Sequence, residues 1–395
     1  MSILTINGSV NNSRYVMRPK TIADKEKLVE REGSTVVVPM DCYLGVRDLP
    51  FKMTPAVMIE VAYWAQNQAS FDAAEEVILK TTGLKVSDDN VRMVANKIGG
   101  YIHAIDQKRA EECHTQFASG NIVFPRKKKK GVLYIEVDGA SINTRKKDTS
   151  GSSWRENKLG IVFSSDNIRS WRDKKGEPQH EILKREYTSF IGGVSEFQKL
   201  VFACALKNGY GEYEKTLILG DGASWIRSMR DELFPDALLV LDFYHMCENV
   251  YTFAKHAFSY DESKYAPWAE TMTDHFRKSE SGAVLAALDM FSESVHKTAK
   301  INLRGYIDKN KDSIDYATYA EKGYFIGSGA IESGNKVVMQ KRCKQAGMRW
   351  NVPTAQTILT LRAKKESGLW QREVVEPVLA KYNEPIISMN RAGLA

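Results

Sequence analysis

The sequence predicts an α/β protein in which a mixed sheet is flanked by helices, and three observations predict it. Five short apolar runs rich in β-formers lie within residues 130–247, where helical patterns separate some of them. Residues 53–105 carry apolar side chains three and four positions apart, which is typical of helices. Residues 248–322 repeat that periodicity without a strand signal. Buried runs that alternate with helices indicate a sheet with functional residues beyond its strand ends.

Composition places the chain among ordinary globular proteins. Of 395 residues, 43% are hydrophobic and 27% are charged, and 56 Lys and Arg against 49 Asp and Glu give a net charge of +7. That charge permits a polyanionic partner without requiring one. The five cysteines are scattered and form no C-x-x-C pair, which is typical of a reducing cytosol. We expect a cytoplasmic protein, since no leader or membrane-length apolar run is visible.

The first element is an irregular or β segment over residues 1–50, in which apolar runs such as 35–38 suggest a small hairpin. A helical region follows over 51–125, with Ser70 and Ser87 as predicted N-caps and Gly83 and Gly99 as predicted stops. The middle of this region, helix, TTGLKVS and helix, fits a DNA-binding helix-turn-helix and an ordinary helical hairpin equally well. In the DNA-binding alternative, Arg92 and Lys97 face the DNA.

A basic junction separates the helices from the strands. Pro125 and Arg126 precede four consecutive lysines, among which Lys127 and Lys128 are candidate phosphate contacts. A short charge run of this kind more often serves as a solvated linker.

The strand region begins with GVLYIEVDG and continues with KLGIVFSS and REYTSFIGG. A helix is predicted over VSEFQKLVFACALKNG, then strands over EKTLILGDG and ALLVLDFYH with the helix ASWIRSMRDELF between them. We assign residues 130–247 and 323–375 to a catalytic domain, 248–322 to a helical insertion and 376–395 to a C-terminal tail.

Three acids are the candidate catalytic residues and metal ligands. Asp138 and Asp221 close the first and fourth predicted strands, each within an Asp-Gly-Ala tripeptide, and Glu332 follows Gly327-Ser328-Gly329 at the start of a helix. Carboxylates that converge need a cation to offset their repulsion, and oxygen ligands suit Mg²⁺ or Mn²⁺. Two such ions can activate the nucleophile and stabilise the leaving oxygen of a phosphodiester displacement. A single Asp at a strand end more often caps a turn.

Asp242 and His245 end the fifth predicted strand and are candidate neighbours of these acids. In one interpretation His245 binds a ligand or phosphate while Asp242 fixes its tautomer. In the other, Asp242 caps a helix and His245 packs.

A basic segment with an aromatic residue follows Glu332. We predict that its side chains contact DNA through charge and stacking, although the helix dipole alone also favours cations there. The candidate DNA contacts are Arg342, Lys344, Gln345, Arg349 and Trp350.

At these residues the sequence resembles the DDE transposases of bacterial insertion sequences, of the ISLre and ISKra types and related to Mutator-like elements. The matching motifs are VDGA, LGDGASWI, LDFYH and GSGAIES followed by KQAGMRW. The resemblance implies an RNase H-like fold, an N-terminal DNA-binding region and a helical insertion, where Trp268 either stacks on a displaced base or packs in the core.

The resemblance also implies metal-dependent DNA strand cleavage and transfer at the ends of an insertion sequence in the bacterial nucleoid. The expected partners are terminal inverted repeats, target DNA and a second copy of the chain, in a homodimer or higher oligomer. Two alternatives stay open: an RNase H-like nuclease or resolvase without transposition, and a non-catalytic DNA-binding protein.

Overall fold

The computed structural model describes residues 2–11, 16–32, 50–176, 178–299 and 302–383. Contacts between Cα atoms divide the chain into two units. The terminal unit comprises residues 1–105, 144–146 and 341–395, and the sheet unit comprises 106–143 and 147–340. Residues 248–322, assigned above to an insertion, fall in the same unit as the sheet.

The N-terminal elements begin with a two-stranded hairpin at residues 2–11. The apolar run at 35–38, on which the predicted hairpin was based, lies outside the described residues. In chain order the elements are β1 (Ser2–Thr5), β2 (Gly8–Asn11), α1 (Ile22–Glu32), α2 (Pro55–Asn67), α3 (Phe71–Thr82) and α4 (Asp88–Ala118).

Three of the four predicted helix boundaries are confirmed and one is wrong. Ser87 caps α4, because its hydroxyl accepts a hydrogen bond from the Asn90 amide at 3.4 Å. Ser70 caps α3, because its hydroxyl accepts a hydrogen bond from the Ala73 amide at 3.0 Å, and Gly83 ends it with a left-handed backbone, φ 71°. Gly99 does not stop α4, which continues to Ala118. A Cβ at Gly99 would lie 2.7 Å from the Thr357 backbone oxygen, so the glycine permits close helix packing instead of ending the helix.

The central sheet has five strands in the order β7-β4-β3-β8-β9. Strands β3 and β4 pair antiparallel, as do β4 and β7, whereas β8 is parallel to both β3 and β9. A separate hairpin, β5–β6, lies in the chain between β4 and β7. The strands are β3 (Lys129–Asn143), β4 (Trp154–Ser164), β5 (Ile168–Arg172), β6 (Pro178–Ile182), β7 (Glu186–Phe190), β8 (Tyr213–Gly220) and β9 (Leu238–Leu241).

All five predicted strands belong to this sheet, and the two helices predicted among them form. These are α5 (Val194–Lys207) and α6 (Ser224–Leu233). Their apolar faces share a core with the sheet, in which Ile135, Phe197 and Met229 are fully buried. Burial of this kind stabilises the fold by roughly 1.5–3 kcal/mol for each large apolar side chain.

From Phe243 onward the elements of the described residues are helices, as the periodicity of residues 248–322 predicts for that stretch. Trp268 packs against Phe253, Phe258 and Phe291 in an aromatic cluster within this part. The helices are α7 (Phe243–Ala257), α8 (Glu262–Arg277), α9 (Ser281–Asp289), α10 (Glu293–Thr298), α11 (Leu303–Asn310), α12 (Tyr316–Glu321), α13 (Gly329–Gly334), α14 (Lys341–Cys343), α15 (Val352–Glu366) and α16 (Glu376–Asn383). Among the described residues, none of the helices combines the length and apolar character that a membrane span requires.

Candidate functional site

Asp138 lies inside β3 and not at its end, so that prediction is wrong in detail. The parallel pairing of β3 with β8 stops at Glu136, opposite Leu219. Strand β3 then continues to Asn143, paired only with β4, and Asp138 lies opposite Leu159 there. Asp138 therefore occupies the point at which β3 loses one neighbouring strand, and its side chain is accessible although the strand continues.

The Asp138 carboxylate accepts two hydrogen bonds. One oxygen accepts from the Gly139 amide at 2.7 Å and the other from the Asn335 side-chain amide at 2.6 Å. Burial raises the pKa of Asp138 above its usual value, and the negative charges of Asp221 and Glu332 raise it further. Asp221 and Glu332, which come from other elements, therefore lie within electrostatic reach of Asp138.

Asp221 immediately follows β8 and forms a tight turn. Its carboxylate accepts a hydrogen bond from the Ala223 amide at 2.9 Å, and Gly222 between them has φ +81°, a conformation that favours glycine. Gly139, in the other Asp-Gly-Ala tripeptide, lies in extended β3. The repeated tripeptide therefore has two conformations.

Helix α11 contacts the Asp221 turn. The Tyr306 hydroxyl donates to the Asp221 backbone carbonyl at 2.8 Å, and burial together with the Asp221 charge raises the pKa of Tyr306. The Lys309 ammonium donates to the Gly222 carbonyl at 3.2 Å. These contacts hold the turn through backbone atoms and leave the second carboxylate oxygen of Asp221 for other partners. Sequence reasoning did not identify Tyr306, because an isolated tyrosine in a helical segment carries no motif.

Glu332 is exposed on α13, three residues before Asn335. Helix α13 continues directly into π-helical turns at Asn335–Gln340, a local irregularity that is frequent at functional sites. Over the residues that the structure describes, no three His, Cys, Asp or Glu side chains form a ready-made metal site. The carboxylate oxygens of Asp138, Asp221 and Glu332 are nevertheless ligands of the kind that Mg²⁺ and Mn²⁺ prefer.

Glu136 is an acid that the sequence reasoning missed. It is only 1% exposed, and its carboxylate accepts a hydrogen bond from the Ile331 amide at 2.9 Å. Burial, with smaller contributions from the charges of Asp242 and Glu332, raises the pKa of Glu136 to about 8. The available signal was its position two residues before Asp138, which places both side chains on one face of the strand.

Asp242 caps a helix and does not orient the His245 imidazole. Its carboxylate accepts from the Tyr244 and His245 backbone amides at 2.7 and 3.4 Å, and from the Ser328 hydroxyl. His245 places Nδ1 3.4 Å from a carboxylate oxygen of Glu248, one turn along α7. The interpretation in which Asp242 fixes the tautomer of His245 is wrong, because backbone and hydroxyl donors occupy that carboxylate. His245 still lies near the acids, since its charge lowers the pKa of Asp138.

The predicted DNA contacts in the N-terminal half are solvent-accessible. Lys127 and Lys97 are exposed, and Arg92 pairs with Asp89 at 2.8 Å on α4. Lys128, also exposed, donates to the Gly211 carbonyl and lies over the Phe124 ring.

The basic segment after Glu332 divides into buried and exposed residues. Arg342 and Trp350 are 2% and 5% exposed, and the guanidinium contacts the rings of both Phe71 and Trp350. These two side chains therefore have a packing role, and we do not retain them as DNA contacts. Lys344, Gln345 and Arg349 are exposed.

The fold and the site together define a mixed α/β protein with acidic residues near the point where the parallel pairing of β3 with β8 stops. The chain belongs to the uncharacterised protein family UPF0236, whose family model matches residues 31–377. The comparison with curated proteins found no match.

Proposed function

We propose that the chain is a DDE transposase that cleaves DNA strands at the ends of an insertion sequence and joins them to target DNA. The observation that carries this proposal is the proximity of Asp138, Asp221 and Glu332, which come from a strand, a turn and a helix far apart in sequence. Like charges that are brought together from separate elements repel one another and lower the stability of the fold, so such a group of acids indicates a functional site. The mixed order of the sheet is compatible with the RNase H-like architecture that the motifs imply.

Asp138, Asp221 and Glu332 are the residues that would hold Mg²⁺ or Mn²⁺. Two bound ions supply activation of the attacking hydroxyl and stabilisation of the leaving oxygen. Asn335 holds one Asp138 oxygen at 2.6 Å and so restricts the rotation of that carboxylate. Tyr306 and Ala223 hold the Asp221 turn.

Exposed cations would bind the phosphate backbone and position the strand. Lys344 and Arg349 meet this requirement in the terminal unit, and Lys127 and Lys128 meet it in the sheet unit. Each phosphate contact releases counterions, so affinity should fall as salt concentration rises. A homodimer or higher oligomer on DNA follows from the need to bring two element ends together.

The test is a cleavage assay with DNA that carries the element ends, in Mg²⁺ or Mn²⁺. We expect Asp221→Asn to reduce cleavage by at least about a hundredfold, because removal of a group that acts in the transition state lowers the rate steeply. Asp236→Asn is the matched control: it removes an exposed acid in the loop before β9 and should cleave like the wild type. Equal cleavage by Asp221→Asn and the wild type would refute the assignment.

The same assay separates the alternatives. Cleavage without joining to target DNA would favour a nuclease or resolvase. Salt-dependent binding without cleavage by the wild type would favour a non-catalytic DNA-binding protein, an outcome consistent with the absence of a ready-made metal site among the described residues.

A further inference from the structure

A cavity of about 340 Å³ lies in the sheet unit beside the acid cluster. Its walls come from the end of the β5–β6 hairpin, from β3, β4 and β7, and from the segment that leads into α13. The volume lies within the range of small-molecule binding sites. Nothing in the proposed cleavage chemistry uses this space.

Much of the cavity wall is aromatic. Phe325 and Tyr187 line it, together with His180, whose ring meets the Phe325 ring edge-on at 5.2 Å between centroids. Phe325 also packs against Tyr134, with the ring centroids 5.0 Å apart, so its position is supported by the core. Flat, supported rings of this kind favour a flat ligand, which can stack on them.

Polar groups are present among these rings. The Arg185 guanidinium lines the cavity, and its Nε atom is buried with no hydrogen-bond partner in the part of the chain that the structure describes. The Glu136 carboxyl lines the same space. A buried donor without a partner costs about 1–3 kcal/mol, so a ligand that accepts from Arg185 would relieve that cost. A purely apolar ligand would leave the donor unpaired.

Two residues that line the cavity are close in the chain to the candidate catalytic acids. Glu136 precedes Asp138 by two residues on the same face of β3, and Ser333, on the exposed rim, follows Glu332 in α13. A molecule in the cavity would therefore lie beside a strand held at the acids.

We propose that this cavity binds one unpaired nucleobase, stacked on Phe325 and hydrogen-bonded by Arg185 and the Glu136 carboxyl. A base combines the required properties, since it is flat and carries both donors and acceptors on its edge. A phosphate group fits less well, because the carboxyl of Glu136 lines the cavity and Glu332 lies next to its rim. The part of this inference that places the base in a DNA strand bound at the acids rests on the proposed function.

Binding is measured on the full chain in EDTA, so that no cleavage intervenes. One arm titrates the four deoxynucleoside monophosphates. The other compares a single-stranded decamer with an abasic decamer, which keeps the phosphates and lacks the bases. We expect the normal decamer to bind about tenfold more tightly than the abasic one, as stacking of a base on an aromatic ring predicts.

Two variants test whether the preference for the normal decamer over the abasic one depends on this cavity. Ser333→Leu should fill the rim and remove the preference for bases, whereas Ser333→Ala, the matched control, should keep it. Arg185→Gln should weaken base binding by about tenfold, since it removes the unpaired donor. It also tests the cavity if Ser333→Leu fails to fold, which thermal unfolding would reveal. Arg169→Gln, on the exposed face of the same hairpin, is its control.

Each outcome decides the question. The proposal is supported by a base preference in either arm that folded Ser333→Leu removes, or that Arg185→Gln removes if Ser333→Leu does not fold. The arm identifies the source as a free nucleotide or a strand. Equal binding of the normal and abasic decamers with no nucleotide binding overturns it, as does a base preference that folded Ser333→Leu retains. Base binding without Mg²⁺-dependent cleavage would contradict the proposed function and leave the cavity assignment standing.

Discussion

The buried guanidinium of Arg342 leads to a prediction that separates a packing role from a DNA-binding role. Arg342 lies beside the rings of Phe71 and Trp350, with its Cζ atom 4.8 and 4.9 Å from the two ring centroids. Its Nε donates to the Ala65 carbonyl at 3.3 Å. Burial lowers the pKa of Arg342 to about 10, which corresponds to a penalty of roughly 3 kcal/mol on the charged form.

Replacement by methionine removes both the penalty and the compensating contacts. Two desolvated cation–π contacts contribute about 2 kcal/mol each, and the unpaired Ala65 carbonyl costs about 1–3 kcal/mol. Contacts of the Met sulfur with the two rings recover about 1 kcal/mol. We therefore expect Arg342→Met to lower the free energy of unfolding by about 2 kcal/mol.

Arg342→Lys should be worse than Arg342→Met, although it keeps the charge. An ammonium has no flat face to lie against an aromatic ring, is more strongly hydrated than a guanidinium, and loses the Nε hydrogen bond. We expect a loss of about 4 kcal/mol, because the burial penalty remains while the offsetting contacts weaken.

Urea unfolding followed by fluorescence and circular dichroism measures these differences. The control is Lys344→Met, two residues away and exposed, which should change the unfolding free energy by less than about 0.5 kcal/mol. In a DNA-binding titration the roles should reverse: Lys344→Met reduces the salt dependence of the affinity and Arg342→Met does not. A stable Arg342→Lys beside a destabilised Arg342→Met would refute the reasoning, since it would mean that the charge is needed and the stacking is not.

Two further predictions concern acids of the sheet unit. The pKa of Glu136 is about 8 in the folded protein and 4.5 for an ordinary Glu. The stability that the neutral carboxyl contributes is therefore fully present below pH 4.5, and up to about 5 kcal/mol of it is lost as the pH rises to about 8. Glu136→Gln cannot ionise, so urea unfolding in EDTA should show that this variant becomes more stable relative to the wild type as the pH rises over that interval. A difference in unfolding free energy that stays constant with pH would contradict the burial of a neutral carboxyl. Asp242→Ala should lower the unfolding free energy by about 2 kcal/mol, through loss of the α7 cap and of the partner of Ser328, whereas Asp242→Asn should retain most of the cap. Equal unfolding free energies for Asp242→Ala and the wild type would show that the cap contributes nothing.

Local sequence pattern determined which segments form the sheet. The five apolar runs became its five strands, because a run of buried β-formers satisfies strand propensity and core burial together. The β5–β6 hairpin was not anticipated. Its strands carry Arg169, Arg172 and Glu181 and little apolar alternation, and its pairing depends on a turn between two exposed strands.

Helix ends illustrate the limit of local signals. Ser70 and Gly83 act as a cap and a stop because capping needs only neighbouring backbone. Gly99 has the same local appearance as Gly83 but continues the helix, because its function is to allow the approach of Thr357, more than 250 residues later.

By itself, the sequence determined the strand runs, the helical periodicity and the candidate status of Asp138 and Asp221, since each depends on residues within a few positions of one another. Only the tertiary structure decided that Glu332 lies near them, that Glu136 is a buried fourth acid and that Asn335 binds Asp138. It also decided that Arg342 and Trp350 are buried while Lys344 is exposed. Proximity and burial depend on contacts between segments that are far apart in the chain, and local sequence patterns do not specify those contacts.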